Sequence, residues 1–203
     1  MVTTDMMATN PLNNLNRYSI LLASHSPRRR ELLQMLGVDF DIAADIEVDE
    51  SYPEDMPAHE VAAYLSEKKA EAHRAVMKPD QLIITADTVV INNGTVLGKP
   101  HSEENARQML SRLSGHTHEV VTGVTISTDT KHVTFSACTK VEFARLTPDE
   151  IDFYVSRYKP LDKAGAYGIQ EWIGAVGIKG IEGSYYNVMG LPVHRLYTEL
   201  LKF

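Results

Sequence analysis

Residues 19–37 read SILLASHSPRRRELLQMLG, an apolar run that passes through a Ser-His-Ser-Pro turn into a helical pattern. Ser26 is placed as the N-cap, Pro27 at the first helical position and Gly37 as the stop. Leu32, Leu33, Met35 and Leu36 form the expected apolar side, while Arg28, Arg29 and Arg30 crowd the first turn. The helix dipole disfavours cations at that end, and the first amides have no partner within the helix. A strand feeding such a helix start therefore invites an anion, and phosphate suits both the amides and the guanidinium forks. The glycine spacing of a Walker loop is absent.

Working outward, residues 1–17 are polar and lack periodicity, so a loosely ordered arm is expected there and a single domain over 18–203. Downstream of Gly37 an extended segment ends in the acids Asp45, Glu47, Asp49 and Glu50, and Pro53 and Pro57 punctuate a loop. Val61, Leu65, Ala72 and Val76 recur at helical spacing and predict a helix over about 58–77, with Lys68 and Lys69 on its shoulders. Leu82 to Asp87 reads as a buried strand, and Asn92-Asn93-Gly94 as a hairpin turn. A helix is predicted over 102–114, with Ala106, Met109, Leu110 and Leu113 inward and Gly115 as its stop. Residues 119–127 and 132–143 read as an antiparallel pair, and Thr147-Pro148-Asp149-Glu150 as a capping box. The glycine-rich stretch from Gly165 to Gly190 reads as turns and short strands before a last helix from about Pro192. Hairpins interrupt the alternation of strands and helices, so an α/β fold with a mixed sheet is expected.

The 43% hydrophobic content over 203 residues is enough for one core. A net charge of −7 argues against a sequence-blind nucleic-acid binder, so an anionic ligand must meet a local basic cluster. No stretch reaches the roughly 18 apolar residues of a membrane span, and no secretory signal pattern is visible. A cytoplasmic protein is expected. Cys138, the single cysteine, excludes an internal disulfide and reads as a small buried thiol.

Asp87 stands at a strand end, where a carboxylate can hold Mg²⁺ or take a proton from water. The acidic run at Glu47, Asp49 and Glu50 offers a second ligand for a divalent cation. Lys99, in the constrained Gly98-Lys99-Pro100 turn, and Lys69 are candidate phosphate cations. His116, His118 and Glu119 resemble metal ligands only superficially, because Mg²⁺ prefers oxygen and nothing else calls for zinc. Trp172 reads as a core or rim aromatic.

Six ordered motifs, SHSPRRRELLQMLG from Ser24, ADTVV from Ala86, LGKP from Leu97, LSGHTHEVVTGV from Leu113, KAGAYGIQ from Lys163 and GSYYNVMGLP from Gly183, resemble the Maf family. The resemblance spans about 18–201. It implies an elongated, twisted mixed sheet flanked by helices, similar to the inosine triphosphate pyrophosphatase fold, with a central cleft. It also implies Asp87 as catalytic residue, Glu50 and Asp87 as ligands of Mg²⁺ or Mn²⁺, and Ser24, Arg29, Lys69 and Lys99 as phosphate-binding. The acidic loop can also be aligned one residue earlier, on Asp49. Arg28, Thr88 and Gln170 stand where family branches differ, and match the branch acting on dTTP and UTP. The implied reaction releases pyrophosphate and the nucleoside monophosphate, and could extend to modified pyrimidine nucleotides. The nucleotide is the expected partner, with neither nucleic acid nor membrane, and many family members are dimers, so a homodimer is an open expectation. Two alternatives stand beside this reading: a nucleotide-binding regulator of cell division and septum formation without significant turnover, and a general phosphatase using the same anion site.

Overall fold

The computed structural model describes residues 10–203. The first strand, β1 (Ser19–Ala23), runs into α1 (Pro27–Gln34), whose Ser26 cap accepts a hydrogen bond from the Arg29 amide. After β2 (Asp41–Ile42) and a loop comes α2 (Ala58–Arg74). The hairpin of β3 (Gln81–Asn92) and β4 (Thr95–Leu97) turns on Asn93 and Gly94, with φ of 50° and 76°. Two positive φ values are what a two-residue hairpin turn that follows the strand twist requires. Next are α3 (Glu103–Leu113), β5 (Thr117–Ser127), β6 (His132–Phe143) and α4 (Pro148–Tyr158), the last begun by the Thr147–Glu150 capping box. The chain closes with α5 (Trp172–Gly177), β7 (Ile178–Glu182), α6 (Tyr185–Met189) and α7 (Val193–Leu200).

The seven strands form one mixed sheet in the order β2-β1-β3-β5-β6-β7, with β4 paired on β3. β1 is parallel to β2 and β3, whereas along β3, β5, β6 and β7 each strand is antiparallel to its neighbour. Side chains alternate across β3, so its even and odd residues serve different layers. On the even face, Leu82, Ile84 and Ala86 join a core with Leu32 and Leu33 of α1 and Leu196 and Leu200 of α7. Farther along that face, Val90 joins a second core with Leu110, Leu113, Phe143 and Tyr154. Asp87 and Thr88 lie between these two cores along the strand. On the odd face, α2 covers Val89, Ile91 and Val121 with Val61, Ala62 and Leu65. That helix approaches closely at Gly123, where a Cβ would overlap the Ala62–Ala63 peptide, so any side chain there must displace the helix.

Several expectations need correction. Of the arm expected over 1–17, residues 1–9 lie outside the described residues. Residues 10–17 are ordered: Asn13–Arg17 form a 3₁₀ turn, and Leu12 and Leu15 are buried in the first core. Two leucines without periodicity gave no pattern to read, yet burial fixed them. Met35 is 61% exposed because the helix ends at Gln34, and α2 stops at Arg74, leaving Val76 in solvent at 71% exposure. Cys138 is exposed rather than buried. The glycine-rich tail contains the short helices α5 and α6, and Gly174 admits no Cβ because the Ile169 carbonyl occupies its place. Among the described residues no helix is long and apolar enough to cross a membrane.

Candidate active site

A cleft of about 1010 Å³ opens where β1, β3, α2 and the 162–170 loop meet. Its walls include Ser24, Arg28, Arg29, Glu50, Lys69 and Asp87, together with Thr88, Lys99 and Gln170. All the sequence-derived site residues therefore face one space, although they come from six separate stretches of chain.

The acidic centre is organised by α2. Lys69 Nζ lies 2.5 Å from Asp87 Oδ1 and 2.7 Å from Glu50 Oε1. Lys69 and Asp87 are 18% and 14% exposed, so this bridge is shielded far better than a surface pair. Its hydrogen bond to Lys69 holds Glu50 below the usual carboxylate range, against the opposing effect of partial burial. One residue earlier, Asp49 and Lys68 pair with each other at 3.1 Å on the exposed side. The structure thus brings Glu50 and Lys69 to Asp87 and turns their neighbours away.

Arg29 enters from α1 and is more enclosed than its place in a basic first turn suggests. Its Nε donates to the Gly190 carbonyl at 2.8 Å, one terminal nitrogen to Ala86 O at 2.8 Å, and the other to Thr88 Oγ1 at 3.1 Å. Burial lowers its pKa from the ordinary guanidinium value, while Asp87 acts in the opposite direction. Arg29 therefore ties α1, β3 and the end of α6 together beside the carboxylates. The three arginines part company here, since Arg30 is exposed and Arg28 reaches Asp162 at 3.2 Å.

That Asp162 contact opens a network for which sequence reasoning named no role. Lys163, 9% exposed, pairs with Asp162 at 2.7 Å and with Glu171 at 3.2 Å. Glu171 in turn accepts from the Tyr154 hydroxyl, and that hydroxyl accepts from the Gly168 amide at 3.0 Å. Partial desolvation of the half-exposed Asp162 opposes its ionisation, yet Lys163 and Arg28 hold its pKa below the ordinary value. These contacts clamp both ends of the loop that carries Gln170. Their signal was the KAGAYGIQ motif itself, whose lysine is adjacent to an acid. Thr88 is engaged by Arg29 and, at 2.9 Å, by Thr122.

Ser24 accepts from Arg29 at 3.4 Å, and Lys99 is exposed on the cleft rim. His118 is 2% exposed, contacts Tyr167 OH at 2.7 Å and is wedged edge-on between Phe143 and Tyr167. Burial depresses its pKa to about 4, so it is a neutral core histidine. Trp172 sits at the rim of the second core against Phe153. Glu50 and Asp87 offer hard oxygen donors that already converge on one cation, Lys69 Nζ, and this donor set suits Mg²⁺ or Mn²⁺.

Residues 19–203 match the family described as Maf-like protein. The sequence is 56% identical to a protein of Phocaeicola vulgatus named dTTP/UTP pyrophosphatase, over 94% of this chain and 99% of that one. A protein of the same name from Bacteroides thetaiotaomicron is 52% identical, again over 94% and 99%. Among solved structures, a HAM1 protein from Coxiella burnetii is similar with a TM-score of 0.48 and 16% identity, covering 92% of this chain and 100% of that one.

Proposed function

This chain belongs to the Maf family, and we propose that it hydrolyses dTTP and UTP to the nucleoside monophosphate and pyrophosphate. The names of its close relatives support the choice of substrates. The observation that carries the reading is the convergence of Asp87, Glu50, Lys69 and Arg29 in one cleft. Both signs of charge are needed there, cations for the triphosphate and a carboxylate for water.

Lys69, Lys99 and the start of α1 neutralise the phosphate chain, while Arg29 holds the wall against which it lies. Mg²⁺ or Mn²⁺, held by Asp87 and Glu50, would withdraw charge from the phosphate oxygens. Asp87 orients the attacking water and accepts its proton. The new oxygen–phosphorus bond forms at the α-phosphorus as the bond to the β-phosphate oxygen breaks, and pyrophosphate leaves with its charge compensated. Arg28 and Gln170 border the same cleft as readers of the base. Gln170 can accept from N3–H and donate to O4 of thymine or uracil, and Arg28, a donor only, favours a keto oxygen over an amino group. We place the activity in the cytoplasm, with a homodimer as the expected assembly, to be checked by light scattering.

The test is to incubate the protein with a panel of nucleoside triphosphates and Mg²⁺ or Mn²⁺ and to identify the products. Monophosphate and pyrophosphate from dTTP and UTP are expected. Orthophosphate would identify a general phosphatase, and binding without turnover a nucleotide-dependent regulator of cell division.

A further inference from the structure

His59, Glu119 and Cys138 meet at the opposite end of α2 from Arg74, and the proposed reaction uses none of them. His59 stands in the first turn of α2, Glu119 on β5 and Cys138 on β6. One ligand atom from each lies within 4.8 Å of the other two. His59 Nε2 is 2.8 Å from Glu119 Oε2, and Cys138 Sγ is 3.8 Å from Glu119 Oε1. Lys140, directly across from Glu119 in the β5–β6 register, is turned instead toward Glu182 at 3.5 Å.

We propose that these three side chains form a second cation site, selective for a borderline-soft divalent ion of the zinc class, that ties the first turn of α2 to β5 and β6. An imidazole, a carboxylate and a thiolate are the three donor types zinc accepts. Mg²⁺, by contrast, is served by oxygen and gains little from sulfur. The three backbones need no rearrangement, because the ligand atoms are already close and the strands and helix that carry them are fixed. All three side chains reach solvent, so an ion has an entry path, and three protein ligands leave a fourth position for water. Partial desolvation of the sulfur and the Glu119 carboxylate push the Cys138 thiol up from its ordinary value. A cation beside it reverses that bias, so binding releases the thiol proton and strengthens as pH rises. Lys69 lies ten residues farther along the same helix, about 15 Å along its axis. The two sites are therefore distinct in place and in the ions they suit, while sharing one rigid element.

Cys138 is the single cysteine of the chain, so every thiol signal reports on this site. The rate at which a thiol reagent modifies the intact protein is measured with equimolar Zn²⁺, with excess Mg²⁺ and with neither. Co²⁺ serves as a spectroscopic probe for thiolate-to-metal charge transfer. Zn²⁺ is expected to protect Cys138 and Mg²⁺ not to, and Co²⁺ to give the thiolate band. Both effects should be lost in His59→Ala and Glu119→Gln and retained in Asp87→Asn. Equal labelling with and without Zn²⁺, protection that survives His59→Ala, or protection that vanishes in Asp87→Asn overturns the proposal. His59 is exposed, so its replacement tests the site without emptying a core position.

Discussion

Lys69 Nζ lies 2.5 Å from Asp87 Oδ1, so α2 delivers a cation directly onto the carboxylate that β3 holds at the middle of the cleft. Glu50 shares the same ammonium group at 2.7 Å. Lys69→Gln removes the charge and leaves two acids facing each other. A loss on the order of 10²-fold in kcat/KM is expected, comparable to removing one preorganised donor at a reacting centre. The pH profile gives a second readout. Lys69 depresses the Glu50 pKa, so its loss lets that pKa rise and moves the acid limb of the profile to higher pH. An unmoved acid limb would show that Glu50 ionisation plays no part in turnover.

Asp87→Asn preserves size and removes both the charge and the proton-accepting function. Activity is expected to fall by about 10² to 10⁴, with the circular dichroism spectrum unchanged. Near-normal turnover of dTTP would remove Asp87 from the mechanism.

Arg29 has structural and catalytic consequences that can be separated. Arg29→Ala leaves the carbonyls of Ala86 and Gly190 without their donor, at about 1 to 3 kcal/mol for each group left unpaired. Thermal denaturation should therefore show a clear drop in Tm alongside the loss of turnover. Lys99→Ala, at an exposed position, should raise KM and leave Tm unchanged. If Arg29→Ala melts like the unmodified protein, those hydrogen bonds do not hold α1 in place.

The base pocket is tested by competition between pyrimidines. CTP presents an amino group toward a donor-only Arg28, and sites that read hydrogen bonds can reject such a mismatch by up to roughly 10⁴. Gln170→Glu keeps an acceptor for N3–H and loses the donor for O4, so dTTP should suffer most, by a few kcal/mol at most. Measuring kcat/KM for dTTP, UTP, CTP and GTP on both proteins checks this. An unchanged ranking would mean that Gln170 does not read the base.

Gly123 lies on β5 directly under the Ala62–Ala63 peptide of α2. Gly123→Ala must push that helix outward, at about 1 to 3 kcal/mol from overpacking. Lys69 moves with the helix, so kcat should fall together with stability. A variant that melts lower yet turns over normally would show that α2 can yield without disturbing Asp87.

The sequence was most readable where local chemistry decides structure. The Ser26–Pro27 start of α1, the Asn93–Gly94 turn and the Thr147 capping box all depend on residues only a few positions apart. The candidate site was readable as a set of residue types within motifs. Its internal pairings were not, because Lys69–Asp87 and Arg29–Gly190 are tertiary contacts between stretches that no periodicity relates. Lys163 stayed without a role for the same reason. A lysine in a glycine-rich motif looks solvated until Glu171 and Asp162 are seen to close around it. Cys138 misled because strand alternation says which residues share a face but not which face is covered. α2 covers Val121, the residue opposite Cys138 in the register, and leaves the thiol open.

The mixed sheet also sets an order of assembly. β5 and β6 are joined by a tight turn between Ser127 and His132 and can pair almost as soon as they exist, whereas β1 must find β3 across the intervening β2 and α2, from Ser19 to Gln81. Loop closure costs more over the longer span, and distant pairings form late. Ser24 and Arg29 ride on the late strand and its helix, while Asp87 belongs to the strand shared by both halves. The cleft is thus a seam between a part held by short-range pairing and a part held by long-range pairing. A nucleotide lying across that seam binds only when both parts are joined, and so acts as a clasp that shifts the equilibrium toward their union.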